Sequence, residues 1–174
     1  MVRAVRPMRP TDFRLMIRYF LNADESFLRG MGVDPAKLPT EARWLRILED
    51  GHALPLALRP FYYLIWEADG IPIGHANINE IIFGDRAFMH LHLWHAEGRQ
   101  RGAGTWYMQE CIPRFFDQFK LRELYCQPYA HNPAPNKTLD KLGFQFVKAY
   151  FNASGWINFP QEAKLWVLRR EDVA

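Results

Sequence analysis

Two groups of residues in this chain have the types and spacing to do chemistry. The first is Arg99-Gln100-Arg101-Gly102-Ala103-Gly104. An apolar–polar alternation from Phe88 to Trp94 precedes it, and an amphipathic run from Thr105 to Phe119 follows it. The group therefore reads as a turn between a strand and a helix. The first N–H groups of a helix have no intrahelical partner and point at an incoming anion. Gly102 and Gly104 let backbone approach that anion without a Cβ in the way, and Arg99 and Arg101 add positive charge. The turn is not a dinucleotide fingerprint, since position 107 is Tyr, and it lacks the Gly-Lys-Ser/Thr of an NTPase loop.

The second group is His90 and His92, which share one face of the strand with Phe88. Histidine ionises at about 6.5 when unperturbed, which suits a base working near neutral pH. Glu80, near the end of the preceding strand, is a second candidate base. His90-x-His92-x-x-His95 also has the spacing of a zinc pair, with His75 or Glu80 as a third ligand. No cysteine or carboxylate pattern accompanies it, so no metal is expected. Cys111 and Cys126 lie in apolar segments without a C-x-x-C and read as buried thiols.

The elements that must position these groups follow in order. Val2 to Met8 is a candidate strand. Thr11 reads as the cap of a helix carrying Phe13, Met16, Ile17 and Phe20 at helical spacing. The polar stretch 24–39 is either a plain connection or one wall of a substrate groove. Thr40 caps a second helix with Trp44, Leu45 and Leu48 on its apolar face. Phe61 to Glu67 and Ile71 to Ile82 are strands joined by the hairpin signal Asp69-Gly70. On the second of them His75, Asn77 and Asn79 share one face, and Ala76, Ile78 and Glu80 the other.

After the third helix, in which Pro113 removes one backbone bond, Leu124 to Pro128 reads as a strand parallel to 86–94, because a helix joins them. Asn132 precedes a short helix that Gly143 stops, and helix capping is one reading of it. Phe144 to Tyr150 and Ala163 to Leu168 close the chain. Their connection carries Phe151, Trp156 and Phe159, which suit core packing, a dimer contact or a lid over a substrate.

Bulk properties narrow the class. A chain of 174 residues, 49% hydrophobic and 15% aromatic, is long enough to bury a core as one domain, 1–174. A net charge of +3 fits an anionic ligand, and without a basic block no nucleic-acid partner is expected. No apolar stretch reaches membrane-spanning length and Met1-Val2-Arg3 opens no signal peptide, so a cytoplasmic protein away from membranes is expected.

The order β, α, α, βββ, α, β, α, ββ resembles the GNAT acetyltransferase superfamily. Arg-x-x-Gly-x-Gly at 99–104 is similar to its acyl-CoA pyrophosphate motif. Asn132-Pro-Ala-Pro-Asn-Lys-Thr-Leu-Asp-Lys-Leu-Gly-Phe144 is similar to its second motif. This run and the Arg6-Pro7 to Asp12 opening lie nearest to the branch that includes ribosomal-protein N-acetyltransferases.

The resemblance implies an α/β (α+β) fold: a mixed, mostly antiparallel sheet of six to seven strands, flanked by about four helices, with a splayed central parallel pair. It implies acetyl-CoA as co-substrate, held by the backbone of Arg99, Gln100, Arg101, Gly102, Ala103 and Gly104. The backbone of His92, Leu93 and Trp94 would meet the pantetheine arm, and Asn132 would meet the CoA arm. The acceptor would be a primary amine of a small molecule or of a protein N-terminus, and the enzyme a monomer or homodimer. His90 stands eleven residues before Arg101-Gly102, as in siderophore-type acyltransferases, but Gln127 replaces their aspartate. Leu139 stands where many members have an acidic tyrosine, so Tyr129 or His131 is the candidate proton donor to the thiolate. Two alternatives stay open: a siderophore-precursor acyltransferase using longer acyl-CoA, and a catalytically idle CoA-binding regulator.

Overall fold

The computed structural model describes residues 1–95, 103–152 and 155–173. Among them are seven strands in one sheet, flanked by five α-helices. In chain order these are β1 (Arg3–Pro7), α1 (Phe13–Leu21), α2 (Glu25–Gly30), α3 (Glu41–Ala53), β2 (Phe61–Ala68), β3 (Ile71–Ile82), β4 (Arg86–Leu93), α4 (Ala103–Phe119), β5 (Glu123–Cys126), α5 (Pro133–Lys141), β6 (Gln145–Asn152) and β7 (Gln161–Arg169). The sheet order is β1-β2-β3-β4-β5-β7-β6, and β4·β5 is its parallel pair. The mixed, mostly antiparallel sheet with a parallel pair is the one the resemblance implies, with five helices where about four are expected.

Each face of the sheet carries its own core. On one face α4 and α5 pack Met108, Cys111, Phe115 and Leu139 against Leu64, Trp66, Ala76, Ile78, Ala87 and Met89. On the other, α1 and α3 pack Phe13, Met16, Ile17, Phe20, Trp44 and Leu48 against Ile65. The helical spacing read from the sequence is what puts those α1 residues in one stripe. Each contributes on the order of 1.5–3 kcal/mol by leaving water. Both cysteines are free and buried, and burial pushes each thiol up to about 12.

Local chemistry explains the departures from expectation. The first helix opens with a 3-10 turn at Pro10–Asp12, and Asp12 rather than Thr11 closes it, accepting from the Arg9 amide at 2.7 Å. Asp12 is also held by Arg6 at 2.6 Å. The stretch 24–39 is more than a connection. It contains α2, whose cap Asp24 accepts from the Phe27 amide at 2.8 Å, and a 3-10 turn at Pro35–Lys37. Asp69 and Gly70 both take left-handed φ, 50° and 78°, as a two-residue hairpin turn requires. Helix α4 starts at Ala103, so Gly104 lies in its first turn and not in the preceding loop.

Candidate active site

The site is built on the parallel pair. β4 and β5 are in register at Arg86↔Glu123, Ala87↔Leu124 and Phe88↔Tyr125, and their shared register stops there. β4 goes on pairing with β3 as far as Gly74↔Leu93, while β5 goes on with β7 as far as Cys126↔Trp166. The two strands thus follow different neighbours above Phe88 and Tyr125, which form the vertex of a splay. Helix α4 opens at Ala103, with Tyr107 donating to Glu67 O at 2.7 Å. A Cβ added at Gly104 would meet nothing within 4 Å, so the space above the first turn of α4 is open. Arg99, Gln100, Arg101 and Gly102 lie outside the described residues.

Strand alternation decides what faces the splay. Ala87 and Met89 point into the α4 core, so Phe88, His90 and His92 point to the opposite face. His90, half-buried and the first such side chain above the vertex, has its Nε2 3.1 Å from Asn79 Oδ1. Its desolvation lowers it to about 4, so it is neutral at pH 7. His92 is placed differently. Its Nδ1 lies 3.3 Å from Tyr19 Oη and its ring packs at 5.0 Å on Phe20 and 5.1 Å on His75. His75 is buried and accepts from Trp94 Nε1 at 2.9 Å. Burial, with His92 and His90 beside it, holds it well below the usual histidine range. Among the described residues no three His, Cys, Asp or Glu side chains gather to hold a metal.

Glu80 is not where alternation puts it. Ala76 and Ile78 are fully buried against α4, but Glu80 is exposed, with a left-handed φ of 47° at a register shift between Asn79 and Ile82. The bulge swings its carboxylate off the Ala76–Ile78 face, and its charge reaches Tyr150, helping burial to raise that phenol. Tyr150 donates a hydrogen bond from Oη to Gln127 Oε1, so Gln127 is tied to β6.

At the end of β5, Tyr129 is half-buried, bridges to Ala163 and packs on His131 and Phe159 at 5.3 and 5.6 Å. Asn132 sits at the cap position of α5 without making a side-chain capping bond. Asn136 does the anchoring instead, a role the sequence reading missed. Its Nδ2 donates to Asn132 O at 2.8 Å and Tyr129 O at 3.2 Å, and its Oδ1 accepts from Trp166 Nε1 at 2.9 Å. A polar residue one turn after Asn132 was the available signal. Leu139 is fully buried on the core side of α5.

On this face residues 156–159 join the end of β5 to the stretch 32–34. At one side Phe159 rests on Tyr129. At the other, Val33 bridges to Asn158, Asp34 N donates to Ile157 O at 2.7 Å, and Asn158 and Gln161 side chains both donate to Gly32 O at 2.9 and 2.8 Å. Trp156 meets Trp44 edge-on at 5.6 Å. Stretches 24–39 and 151–162 are therefore two ends of one strap.

Residues 4–145 match the family model described as an acetyltransferase (GNAT) domain. The chain belongs to the GNAT acetyltransferase family. Solved structures of this fold include a spermidine N-acetyltransferase from Vibrio cholerae in complex with CoA and spermine, with a TM-score of 0.81 at 14% identity over 98% of this chain and 97% of that one. RimL, a ribosomal alpha-N-protein acetyltransferase in complex with coenzyme A, superposes with a TM-score of 0.78 at 12% identity over 99% and 96%. A ribosomal-protein alanine acetyltransferase from Vibrio fischeri gives 0.76 at 18% over 99% and 95%. No curated protein matches the chain in sequence. Among the described residues no helix is long and apolar enough to cross a membrane.

Proposed function

We propose that this chain is a single-domain cytoplasmic N-acetyltransferase that moves acetyl from acetyl-CoA to a primary amine of a small molecule or protein N-terminus. The observation that carries the reading is the splay above Phe88 and Tyr125, together with the open space above the first turn of α4. It is supported by CoA in the two neighbouring structures named with it, one an enzyme of a polyamine and one of a protein α-amine. The pyrophosphate is assigned to 99–104, the pantetheine arm to the backbone of 92–94, and the CoA arm also to Asn132.

The chemistry then follows from the side chains. The amine nitrogen attacks the thioester carbonyl carbon, the C–S bond breaks, and the nitrogen's proton must leave. Neutral His90 is too weak a base to strip an alkylammonium. It suffices for the far more acidic nitrogen that bears positive charge once attack has occurred. Its Nε2 is fixed by Asn79, which leaves Nδ1 as the proton acceptor. Tyr129 is assigned as donor to the departing thiolate. Oriented backbone N–H groups hold the carbonyl oxygen, and juxtaposing amine and thioester supplies much of the remaining acceleration.

The test is acetyl-CoA-dependent thiol release with a panel of amines, beside a thermal titration with acetyl-CoA, CoA and ATP. Ligand at about 100 times its Kd adds about 2.7 kcal/mol, an upward shift on the order of 5–11 °C for a domain of this size. The expected result is such a shift with both CoA species and not with ATP, its loss in Gly102→Glu, and thiol release with an amine. A shift without release would leave the idle CoA-binding reading, and release only with longer acyl-CoA would leave the siderophore-type one.

A further inference from the structure

Below the strap, the sheet face opposite α4 is not covered by α1 or α3. Phe88, Tyr125 and Tyr150 are half-buried there and belong to neither hydrophobic core. The Phe88 and Tyr125 rings stack at 5.5 Å, and Tyr150 is braced on Gln127. This aromatic shelf adjoins the His90–Asn79 pair on one side and Glu80 on the other.

The charges around it are distributed unevenly. Glu123 accepts from Tyr125 Oη at 2.6 Å and lies 3.5 Å from Arg169, and Asp85 lies 3.5 Å from Arg86. Lys148 stands 5.0 Å over the Tyr150 ring, barring a second cation from that side. Glu80 is different: among the described residues no cation lies within ion-pair distance of it. Its backbone is also held in a left-handed conformation that is strained for a side-chain-bearing residue. Glycine would sit there more cheaply, so the fold alone does not ask for a carboxylate at this point.

We propose that this shelf binds the acceptor and that Glu80 anchors a positive charge on it, so that the acceptor is a short aliphatic amine bearing a second ammonium. The inference rests on the acetyltransferase reading for the fate of the bound amine. The attacking nitrogen must be uncharged and is met by neutral His90. The free carboxylate next to Asn79 is left for a different nitrogen. Glu80 follows Asn79 directly and stands three strand residues, about 10 Å, from Asn77, the register partner of His90, a gap that the two side chains and a few methylenes bridge together. Apolar stems of such a ligand would lie on Phe88 and Tyr125.

The experiment is isothermal titration of the protein, with CoA at saturating concentration, by 1,4-diaminobutane and n-butylamine. Expected is at least about tenfold tighter binding of the diamine, and loss of that preference in both Glu80→Gln and Glu80→Gly with CoA affinity unchanged. Glu80→Gly relieves the left-handed strain, so it tests the carboxylate in a fold that is not weakened. Equal binding of the two amines, no binding of the diamine, or a preference that survives both variants would overturn the anchor. Diamine binding through Glu80 without acetyl-CoA consumption would overturn the acetyltransferase reading and leave the anchor standing. Equal turnover of both amines, unchanged in Glu80→Gln, would do the reverse.

Discussion

His90 and His92 stand two residues apart on the same face of β4 and are both half-buried, yet His92 packs against the aromatic side chains of α1 and His90 pairs with Asn79. His92 lies under α1, between Tyr19, Phe20 and His75. His90 lies where α1 ends its cover, beside Asn79 and the aromatic shelf. The strand pattern makes the two residues equivalent, and the helices crossing that strand make them different. Residue type and spacing nominate candidates for catalysis. Tertiary cover decides which of them meets a substrate.

The comparison breaks most visibly on the covered side. Phe20 is buried against His92 and Trp44, the latter at 5.3 Å. Phe20→Ala should cost about 3–5 kcal/mol, lowering the thermal midpoint by on the order of 6–20 °C, while residual folded enzyme keeps its kcat. A large fall in kcat in the still-folded fraction would mean that the covered half also touches substrate.

On the open side the expectation is reversed. His90→Ala should lower turnover by about 10²–10⁴-fold with CoA affinity and thermal midpoint nearly unchanged. Because His90 is neutral at pH 7, the kcat/KM profile should show no histidine limb between about pH 6 and 7 and should rise with the ionisation of the acceptor amine. Unaltered turnover in the variant would move proton transfer to Glu80 or to water.

Much of this arrangement was readable from sequence because it is local. Phe13, Met16, Ile17 and Phe20 announce α1 by their spacing, and Thr40 announces α3 by its hydroxyl, which accepts from the Arg43 amide at 3.3 Å. Helix α2 escaped because six residues with one buried side chain, Leu28, are too few to show a period. Glu80 escaped because Ile78, Glu80 and Ile82 look like regular alternation, and a bulge leaves no mark in residue type. The strap escaped for a third reason: Gly32 meets Asn158 and Gln161 across more than a hundred residues, and no local rule reports such a contact.

Acid should weaken both halves through the same group type. His75 and His90 ionise below the ordinary histidine value, His90 at about 4, because burial disfavours their charged forms. The unfolded chain, whose histidines ionise at about 6.5, therefore binds more protons than the native state in mild acid. The stability these groups contribute is fully present above about pH 6.5 and is lost as pH falls toward 4. Denaturant midpoints measured at about pH 7 and pH 5 should fall, and His90→Asn should reduce the drop. An unchanged drop would place the effect on His75 and on His52, which burial also lowers, both in the covered half.

The smallest effect expected is at the strap, where the two halves meet. Gly32 has a φ of 82°, and a Cβ added there would collide with Gln161 Oε1. Gly32→Ala therefore imposes left-handed strain of about 1–2 kcal/mol and displaces the side chain that donates to the Gly32 carbonyl. Neither change reaches the α4 end or the β4–β5 vertex. CoA affinity should stay at the wild-type value, while KM for the acceptor rises a few-fold as Asn158 and Ile157 lose their hold on Gly32 and Asp34. A loss of CoA affinity instead would show that the strap closes over the cofactor and not over the amine. A thermal midpoint lowered with both affinities intact would reduce it to a structural tie between α2 and β7.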